Sequence, residues 1–212
     1  MYLSRIKLNT SLRKTMQALA APNLFHGAIE SAESGERTRK LWRIDDLYDD
    51  KYLLILSNDP IDFSAVAEQF GYGTEYECKS YDRLLDRIEN GSIWHFRLKS
   101  NPTIQSKKST SSNGRGKVFA HKTTSYQEEW LRKKAECNGF SLIDGEWSVT
   151  GSKWYVFKKN RSQKSQVKML SVTYEGLLTV TDTELFKNAL TKGIGREKAF
   201  GMGLITIAGA KI

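Results

Sequence analysis

The stretch GIGREKAFGMGLITIA, residues 193–208, sets four glycines and two basic residues ahead of a short apolar run. Glycine has no Cβ, so its backbone accepts positive φ and lets other groups approach closely. Backbone amides left uncovered in this way can bind phosphate. A helix C-terminus followed by a tight entry into a strand accounts for the glycines equally well. If the loop meets a polyanion, its candidate contacts are Gly193, Gly195, Gly201, Gly203, Arg196 and Lys198.

The charge balance of the chain indicates an anionic partner. Its 33 Lys and Arg residues against 24 Asp and Glu residues give a net charge of +9, which favours nucleic acid or a membrane surface. No apolar run approaches the roughly 20 residues of a membrane span. The N-terminal MYLSRIKLNT lacks the apolar core of a signal peptide. We therefore expect a cytoplasmic protein without a membrane partner.

Apolar periodicity divides the chain into two halves with the same order of elements. In the first half, segments of strand character lie at residues 2–9, 40–45, 52–57 and 76–81, and helical segments follow the first and third of them. Strand, helix, strand, strand, helix, strand is the order of the ferredoxin-like fold. The second half follows the same order, and the turn at residues 90–91 is the best boundary. We predict an α+β protein with two tandem ferredoxin-like (RRM-like) domains, residues 1–90 and 91–212; one larger α+β domain is the alternative.

Two neighbouring segments of the second half have distinct surface character. The strand IWHFRLKSNP, residues 93–102, alternates apolar residues with His95, Arg97 and Lys99, which predicts a basic outer face. The run QSKKSTSSNGRG, residues 105–116, is rich in serine, glycine and charge. It has too few apolar side chains to fold around, so a mobile surface loop is predicted.

Local signals also predict two helices and the state of the cysteines. The helices, from about residue 125 to 137 and from about 182 to 192, start at capping boxes, which are Ser125 with Glu128 and Thr181 with Glu184. The side chains expected to face the core from the first helix are Tyr126, Trp130 and Cys137. Cys78 and Cys137 stand far apart, which predicts buried apolar residues rather than a disulfide or a metal site. Since the three histidines are scattered as well, we expect neither a metal nor a cofactor.

A cluster of cations lies between two strands of the second half, in KKNRSQKSQVK, residues 158–168. Its members are Lys158, Lys159, Arg161, Lys164 and Lys168. A solvated hairpin tip explains such a run as well as a binding element does. The overall positive charge, the aromatic strand WYVF before the run and a length that suits a projecting β-hairpin favour contact with RNA. Such a hairpin binds backbone phosphates, and its affinity falls as salt rises because binding releases counterions.

His26 is the candidate for a catalytic role among the three histidines. It lies on a predicted helix, with Asn23 three residues before it and Glu30 four residues after it, both within reach on the same face. Histidine is the side chain that most readily accepts or donates a proton at neutral pH. A lone helical histidine is more often a surface or packing residue, and both interpretations stay open at this point.

Taken together, these residues resemble the CasE family, the CRISPR repeat-processing endoribonucleases of the Cascade complex. The matching stretches run along the whole chain: MYLSRIKL, the helix around His26, KLWRID, HFRLKSNP, YEGLLTVTD and GIGREKAFGMGLITIA. The last of these is the most specific, because it is similar to the family's C-terminal glycine-rich motif. The resemblance implies that the family's catalytic histidine falls on His26 and its groove-binding hairpin on residues 158–168.

The resemblance also implies an activity. Two tandem ferredoxin-like domains bind the hairpin of the CRISPR repeat in precursor RNA and cut at its 3′ base without a metal. The RNA's own 2′-hydroxyl attacks the adjacent phosphate and leaves 2′,3′-cyclic phosphate and 5′-hydroxyl ends. The implied partners are the repeat RNA, which is retained after cleavage, and other Cascade subunits; outside the complex the protein is expected to be a monomer.

One position departs from the family pattern. Some relatives have a tyrosine three residues before the histidine, where this chain has Asn23. An amide positions a hydroxyl or a phosphate but does not titrate, so the role of that tyrosine is not transferred, and a lysine or the RNA itself is left to stabilise the leaving oxygen. The alternative function is a non-catalytic RNA-hairpin-binding subunit, because only His26 indicates catalysis.

Overall fold

The computed structural model describes residues 1–33, 38–110, 116–158 and 166–210, with the backbone alone for residues 107–110. Its strands are β1 (Tyr2–Leu8), β2 (Leu41–Leu47), β3 (Asp50–Ser57), β4 (Glu77–Ser80), β5 (Ile93–Ser100), β6 (Thr103–Thr110), β7 (Gly116–Ala120), β8 (Phe140–Lys158), β9 (Gln166–Val180) and β10 (Ile205–Gly209). Its helices are α1 (Arg13–Ala20), α2 (Asn23–Ser31), α3 (Ser64–Phe70), α4 (Asp82–Leu85), α5 (Thr124–Cys137) and α6 (Thr183–Lys192), and a 3-10 turn covers Lys198–Phe200. None of the helices in these ranges is long and apolar enough to cross a membrane.

The first half forms a four-stranded antiparallel sheet in the order β2-β3-β1-β4. With its helices this is the ferredoxin-like arrangement that the order of elements predicted. Successive side chains on a strand point to opposite faces, so alternate apolar residues of β1 and β3 pack under α1, α2 and α3. The residues buried there include Ile6, Leu8, Ala18, Phe25, Ile29, Leu53, Ile55, Val66 and Phe70.

The second half repeats the arrangement with an antiparallel sheet in the order β10-β5-β9-β8. The alternation predicted for β5 is confirmed, because Trp94, Phe96 and Leu98 are all buried. The largest apolar cluster also takes in Leu41 and Leu56 from the first sheet, so the two halves share a core. The proposed boundary at residues 90–91 falls between the last strand of the first sheet and the first strand of the second.

The structure corrects the loop predicted at residues 105–116 where it describes that run, at residues 105–110 and 116; residues 111–115 lie outside the described ranges. β6 and β7 form a separate two-stranded antiparallel hairpin, in which Thr103 lies opposite Ala120 and Ile104 opposite Phe119. The composition argument missed this hairpin because hydrogen bonding between two strands does not require an apolar core. Thr103, Ile104 and the valine of β7 are residues that favour extended backbone, and they stand at the two ends of the run.

The helix starts also differ from the predicted capping boxes. Ser125 lies inside the first turn of α5, where its side chain is not the N-cap. The N-cap of α6 is Asp182 rather than Thr181, and its carboxylate accepts the Leu185 N–H at 2.9 Å. A capping oxygen has to come from the residue just before the first helical one. A predicted helix start that is wrong by one or two positions therefore assigns the capping role to the wrong residue.

Three side chains that were expected to be buried are exposed. Tyr126 is 56% exposed, and Cys78 and Cys137 both face solvent. The buried positions on α5 are Gln127, Trp130, Leu131 and Ala135. Gln127, Leu131 and Ala135 are spaced by four residues and form the centre of the buried stripe, so Tyr126 and Cys137 lie at its margins.

Arg43 on β2 ties the two sheets together. Its side chain is buried, and all five of its N–H donors are used. Nε and Nη2 donate to the two carboxylate oxygens of Asp45 at 2.6 and 2.7 Å. Nη1 donates to the carbonyls of Arg97 and Leu204 at 2.7 and 2.8 Å, and Nη2 also donates to the Thr206 hydroxyl at 2.7 Å. A residue of the first sheet therefore satisfies backbone groups at β5 and β10 of the second.

The charge of Arg43 is balanced inside this interface. Burial by itself raises the pKa of Asp45, but the charge and hydrogen bonds of Arg43 outweigh it, and the pKa of Asp45 is lowered. Arg97 lies 3.6 Å from Asp45 and 2.8 Å from Glu175. The outer face of β5, predicted to be basic, is thus partly neutralised within the protein.

Lys99, another cation of this face, points toward the first sheet. Its Nζ donates to the carbonyl of Ile44 at 2.5 Å. Burial lowers the pKa of Lys99 to about 8, against the opposing attraction of Asp45. Since the folded state releases this proton at a lower pH than the unfolded state, the destabilisation from burying the charge is present below about pH 8 and is relieved as the pH rises toward 10.5.

The glycine-rich loop, residues 193–204, lies where the two sheets meet. The φ angles of Gly193, Gly195, Gly201 and Gly203 are 72°, 90°, 78° and 89°. A Cβ on Gly201 would lie 2.7 Å from the ring of Trp42 on β2, and the N–H of Gly203 donates to the Lys99 carbonyl at 2.7 Å. Positive φ together with this close approach requires glycine at position 201.

We predict that Arg43→Met lowers the free energy of unfolding by about 3–5 kcal/mol, because it leaves Asp45 buried without its partner. The matched control is Arg5→Met, since Arg5 forms an exposed ion pair with Glu77 at 2.6 Å; its effect is expected to stay below about 1 kcal/mol. Urea unfolding of the two variants measures the difference. Equal effects would contradict the anchoring role of Arg43.

A second prediction concerns Gly201. Gly201→Val combines a strained φ with a clash against Trp42, so we expect a loss of at least about 3 kcal/mol in the free energy of unfolding. Gly145→Ala separates the two causes, because Gly145 has a φ of 87° but no atom within 4 Å of an added Cβ; its loss is expected to be about 1–2 kcal/mol. Thermal unfolding provides the measurement, and a Gly201→Val protein as stable as the parent would refute the packing argument.

Candidate active site and RNA interface

One end of the second sheet brings together the glycine-rich loop and a long β-hairpin. β5 ends at Ser100, opposite Val172 of β9. β8 and β9 pair on past this point as far as Lys158 and Gln166, and this extension is the β8–β9 hairpin. β10 runs antiparallel to β5 and starts at the same end, so the loop that precedes it lies there too.

A small apolar cluster joins the hairpin, the loop and the start of α2. It contains Phe157 and Met169 from the hairpin and Phe200 and Met202 from the loop, with Ala21 packed against it. The rings of Phe157 and Phe200 meet edge to face with their centroids 5.2 Å apart. The hairpin stem is therefore in contact with the segment that leads into the histidine helix.

Trp42 fixes α2 relative to the loop from the other side. Its ring is buried, and an added Cβ at Gly201 would touch it. The rings of Trp42 and Phe25 have their centroids 5.8 Å apart, and Phe25 directly precedes His26 on α2. The position of His26 therefore depends on the close approach that Gly201 permits.

His26 stands at the surface of α2 with 37% of its side chain exposed. Its Nδ1 lies 4.0 Å from Oε1 of Glu30, one turn further along the helix, as the sequence predicted. Asn23 is the first residue of the same helix. The imidazole is thus accessible to a large ligand and has a carboxylate on one side.

Behind His26 lies a set of charged residues that sequence reasoning missed. Lys40, whose side chain is fully buried, places its Nζ 3.9 Å from Oε1 of Glu30 and donates to Glu33 at 2.6 Å. This hydrogen bond, with two more from Thr38, lowers the pKa of Glu33 to about 2. The group joins the end of α2 to the start of β2. No motif spacing in the sequence signals it, because the pairing depends on how a helix end packs beside a strand.

Two of the five predicted hairpin cations, Lys158 and Lys168, are described, and both are exposed. The other three, Lys159, Arg161 and Lys164, lie outside the described residues. Nζ of Lys168 is 5.1 Å from the ring centroid of Trp154, which is 40% exposed. Because Val156 lies opposite Lys168, Trp154, Val156 and both lysines share one face of the hairpin.

The two cations of the glycine-rich loop have basic neighbours. Arg196 is exposed and Lys198 is half-buried. Burial lowers the pKa of Lys198, and the positive charges of Arg39 and Lys134 lower it further. Arg39 precedes β2 and Lys134 belongs to α5, so no local pattern in the sequence groups them with the loop. Like charges that converge in this way create a positive potential suited to phosphate.

Several glycine amides of the loop are used within the protein. The N–H groups of Gly193, Gly201 and Gly203 donate to backbone carbonyls at 2.9, 3.2 and 2.7 Å. At these three positions the geometry favours the turn interpretation over a phosphate cradle. A phosphate contact by the loop then depends mainly on the side chains of Arg196 and Lys198, and the binding role of the loop stays a prediction.

The other two histidines lie elsewhere in the fold. His95 is exposed on β5, in the cleft between the sheets. His121 follows β7 with its ring centroid 5.7 Å from that of Tyr126, and burial lowers its pKa ahead of smaller effects from Glu129 and Lys133. Across the described ranges, no group of three or more His, Cys, Asp and Glu residues is placed to hold a metal ion.

The whole chain is similar to known proteins in sequence and in fold. Residues 1–209 match a family described as CRISPR associated protein. A relative, the CRISPR-associated endoribonuclease Cse3 of Thermus thermophilus, is 28% identical over 221 residues, which cover 98% of this chain and all of the relative.

Solved structures extend the likeness to the fold. Thermus thermophilus Cse3 bound to an RNA that represents a pre-cleavage complex has a TM-score of 0.79 at 25% identity, over 98% of each chain. A chain of a CRISPR RNA-guided surveillance complex in a pre-nicking state shares the fold, with a TM-score of 0.72 at 21% identity over 99% of this chain and 100% of that one. With a family match that spans nearly every residue, this chain belongs to the CRISPR-associated proteins.

Proposed function

We propose that the protein is a metal-independent endoribonuclease that binds the hairpin of the CRISPR repeat in precursor RNA and cuts at its 3′ base. The observation that carries the proposal is the packing of the His26 helix, the glycine-rich loop and the basic β8–β9 hairpin against one another. The full-length likeness to an endoribonuclease supports the enzyme class. The RNA complex of that relative supports an RNA substrate.

The proposed reaction uses the RNA as its own nucleophile. The 2′-hydroxyl oxygen attacks the neighbouring phosphorus, and the bond from phosphorus to the 5′ oxygen breaks. The 2′-hydroxyl loses a proton and the 5′ oxygen gains one, which leaves 2′,3′-cyclic phosphate and 5′-hydroxyl ends. The protein's task is to orient the RNA and to move protons, and His26 takes one of the two proton transfers as general base or general acid.

The surroundings of His26 support this role by position. Its Nδ1 faces the carboxylate of Glu30, so the opposite ring nitrogen, Nε2, is the one proposed to meet the RNA. Glu30 is held in turn by the buried Lys40. Asn23, which stands where some relatives have tyrosine, does not titrate. The second proton transfer is therefore left to a lysine of the basic surface or to the RNA itself.

Binding is proposed to come from the two basic elements beside α2. On the hairpin the proposed RNA contacts are Lys158, Lys159, Arg161, Lys164 and Lys168. On the loop they are Arg196 and Lys198, with Gly193, Gly195, Gly201 and Gly203 allowing close approach. Arg39 and Lys134 add to the positive charge around Lys198. A duplex stem held mainly through its phosphates is recognised largely by shape.

The setting of the reaction is also a proposal. The shared fold with a chain of a surveillance complex supports assembly with other Cascade subunits, with the cleaved RNA retained by the protein. We propose that the protein is a monomer in the cytoplasm before it joins that complex. Retention of the product requires only one cut per molecule, so fast turnover is not needed.

We predict that His26→Ala slows cleavage of a repeat hairpin by about 100- to 10,000-fold, the usual contribution of a general acid or base. Binding of the uncut RNA is expected to stay unchanged, because the RNA is held by other elements. His95→Ala is the matched control and is expected to cleave at the parent rate. Gel assays of end-labelled RNA, with and without EDTA, give the rates and the product ends.

Three results would contradict this proposal. The first is normal cleavage by the His26→Ala protein. The second is loss of activity in EDTA, which would show that a metal is required. The third is intact RNA in a tight complex with the parent protein, which would favour a subunit that binds RNA without cutting it.

The hairpin generates a further prediction. Lys158→Ala combined with Lys168→Ala should reduce the slope of log affinity against log salt by up to about 1.8, at about 0.9 for each lost contact to a duplex phosphate. Lys51→Ala combined with Lys79→Ala removes the same charge from the half-buried Lys51 of β3 and the exposed Lys79 of β4 and is expected to leave the slope unchanged. Fluorescence anisotropy with labelled stem-loop RNA measures both. Equal slopes in the two double variants would exclude the hairpin as a specific contact.

A further inference from the structure

The β6–β7 hairpin is an addition to the ferredoxin-like order and has no part in the function proposed above. Its root is well fixed: the His121 N–H donates to the Pro102 carbonyl at 3.0 Å. The buried Gln127 of α5 donates to the carbonyls of His121 and Lys122 at 3.0 and 3.3 Å. Because β6 starts just after β5 ends at Ser100, this hairpin leaves the second sheet at the same end as the β8–β9 hairpin.

Apolar side chains are exposed on both faces of this hairpin. Ile104 and Phe119 lie opposite each other and are 55% and 48% exposed. Val118 pairs with Gln105 on the other face and is also exposed. A two-stranded hairpin alone is marginally stable in water, so apolar residues at these positions indicate a surface that a partner covers.

The charge of the segment identifies the kind of partner. No Asp or Glu stands between Glu89 and Glu128. The cations between residues 103 and 123 are Lys107, Lys108, Arg115, Lys117 and Lys122, and of these Lys117 and Lys122 are described and exposed. Protein interfaces are depleted in lysine, whereas surfaces for single-stranded nucleic acid combine cations with exposed aromatic rings. Charge complementarity therefore favours a nucleic acid over another protein.

Aromatic rings at the root of the hairpin favour unpaired nucleotides. Tyr126, which is 56% exposed, and His121 border a cavity of about 410 Å³, within the range of about 300–1,000 Å³ for small-molecule sites. The cavity is lined by Ile104, Ala120, His121, Lys122, Thr123 and Tyr126. Bases inside a stem are already stacked on one another, but unpaired bases stack on aromatic side chains.

We infer that the β6–β7 hairpin and the Tyr126 cavity bind unpaired nucleotides next to the repeat stem, while the β8–β9 hairpin holds the stem itself. Lys117 and Lys122 contact phosphates of the single strand, and a base stacks on Tyr126 beside the exposed Phe119. The identity of the RNA in this inference rests on the proposed function. The chemistry of the site, which is a set of cations around an open aromatic surface, does not depend on the proposed function.

Two RNAs test the inference with the parent protein. One is the repeat stem-loop alone, and the other is the same stem-loop with unpaired nucleotides on each side and with the 2′-hydroxyl at the cleavage position replaced by hydrogen, so that the parent protein does not cut it. We expect the flanked RNA to bind about tenfold more tightly, as one additional stacked base and two phosphate contacts allow. Equal affinity for the two RNAs overturns the inference.

Two variants locate the added affinity. Tyr126→Ala is expected to lower the affinity for the flanked RNA by about tenfold, in the range found for loss of one stacked base. Lys117→Ala combined with Lys122→Ala should reduce the salt slope for the flanked RNA by about 1.4, at about 0.7 for each single-strand phosphate. Neither variant is expected to change binding of the bare stem-loop. All three side chains are exposed, so thermal unfolding should match that of the parent.

The double variant Lys51→Ala with Lys79→Ala serves as the control for loss of charge and should bind both RNAs as the parent does. Variants that weaken the bare stem-loop and the flanked RNA equally overturn the inference. So do variants that bind both RNAs normally but fail to co-purify with other Cascade subunits, because the surface is then a protein interface.

An RNA unrelated to the repeat separates this inference from the proposed function. A single-stranded uridine oligonucleotide that binds in a Tyr126-dependent way supports the site, even if the protein neither cleaves nor recognises a repeat. The converse result is an unchanged affinity of the Tyr126→Ala protein for both the flanked RNA and the oligonucleotide, together with normal cleavage of the repeat. That result overturns the site and leaves the proposed function intact.

Discussion

The guanidinium of Arg43 is the interaction on which the arrangement of the two sheets depends. It is buried between them and uses its five donors on Asp45, two carbonyls and a hydroxyl. A buried cation is tolerated only when it is both paired and fully hydrogen-bonded. Because its backbone acceptors belong to the second sheet, any sliding of one half against the other breaks several of these bonds together. This requirement sets the relative position of the halves more narrowly than the surrounding apolar contacts do.

Trp42, the residue before Arg43, connects the interface between the sheets to the candidate active site. Neighbouring residues of a strand point to opposite faces, so Trp42 reaches the helical side of the first sheet. There it lies between Gly201 and Phe25, which directly precedes His26. The β8–β9 hairpin contacts this arrangement through Phe157 and Met169, which pack on the glycine-rich loop. One strand thus links the sheet interface to the histidine helix, and the loop links both to the basic hairpin. Glycine is needed at position 201 for this contact rather than for binding phosphate through its own amide.

The sequence predicts the parts of this arrangement that depend on local patterns. Apolar alternation and helix signals give the ferredoxin-like order of both halves, and the basic run at 158–168 indicates a hairpin between two strands. The Arg43 network was not predictable, because an arginine inside a strand gives no sign of the groups that the fold brings to it; apart from Asp45, its acceptors lie 54 or more residues away. The same holds for Lys40 beside Glu30 and Glu33, and for Arg39 and Lys134 beside Lys198. The β6–β7 hairpin was missed because composition alone cannot distinguish two paired polar strands from a loop.

The central claim is that RNA held by the β8–β9 hairpin has its cleavage site at α2. Photo-crosslinking tests it most directly, with a repeat hairpin whose 2′-hydroxyl is replaced by hydrogen at the cleavage position, so that the RNA stays intact. A photoreactive base is placed at the nucleotide that follows the cleavage position, and the crosslinked peptides are identified by mass spectrometry. The account predicts crosslinks to residues 23–31, with a probe in the stem of the same RNA reaching residues 154–168. Crosslinks from the cleavage position to the open face of the first sheet, around Arg5 and Tyr52, would contradict it.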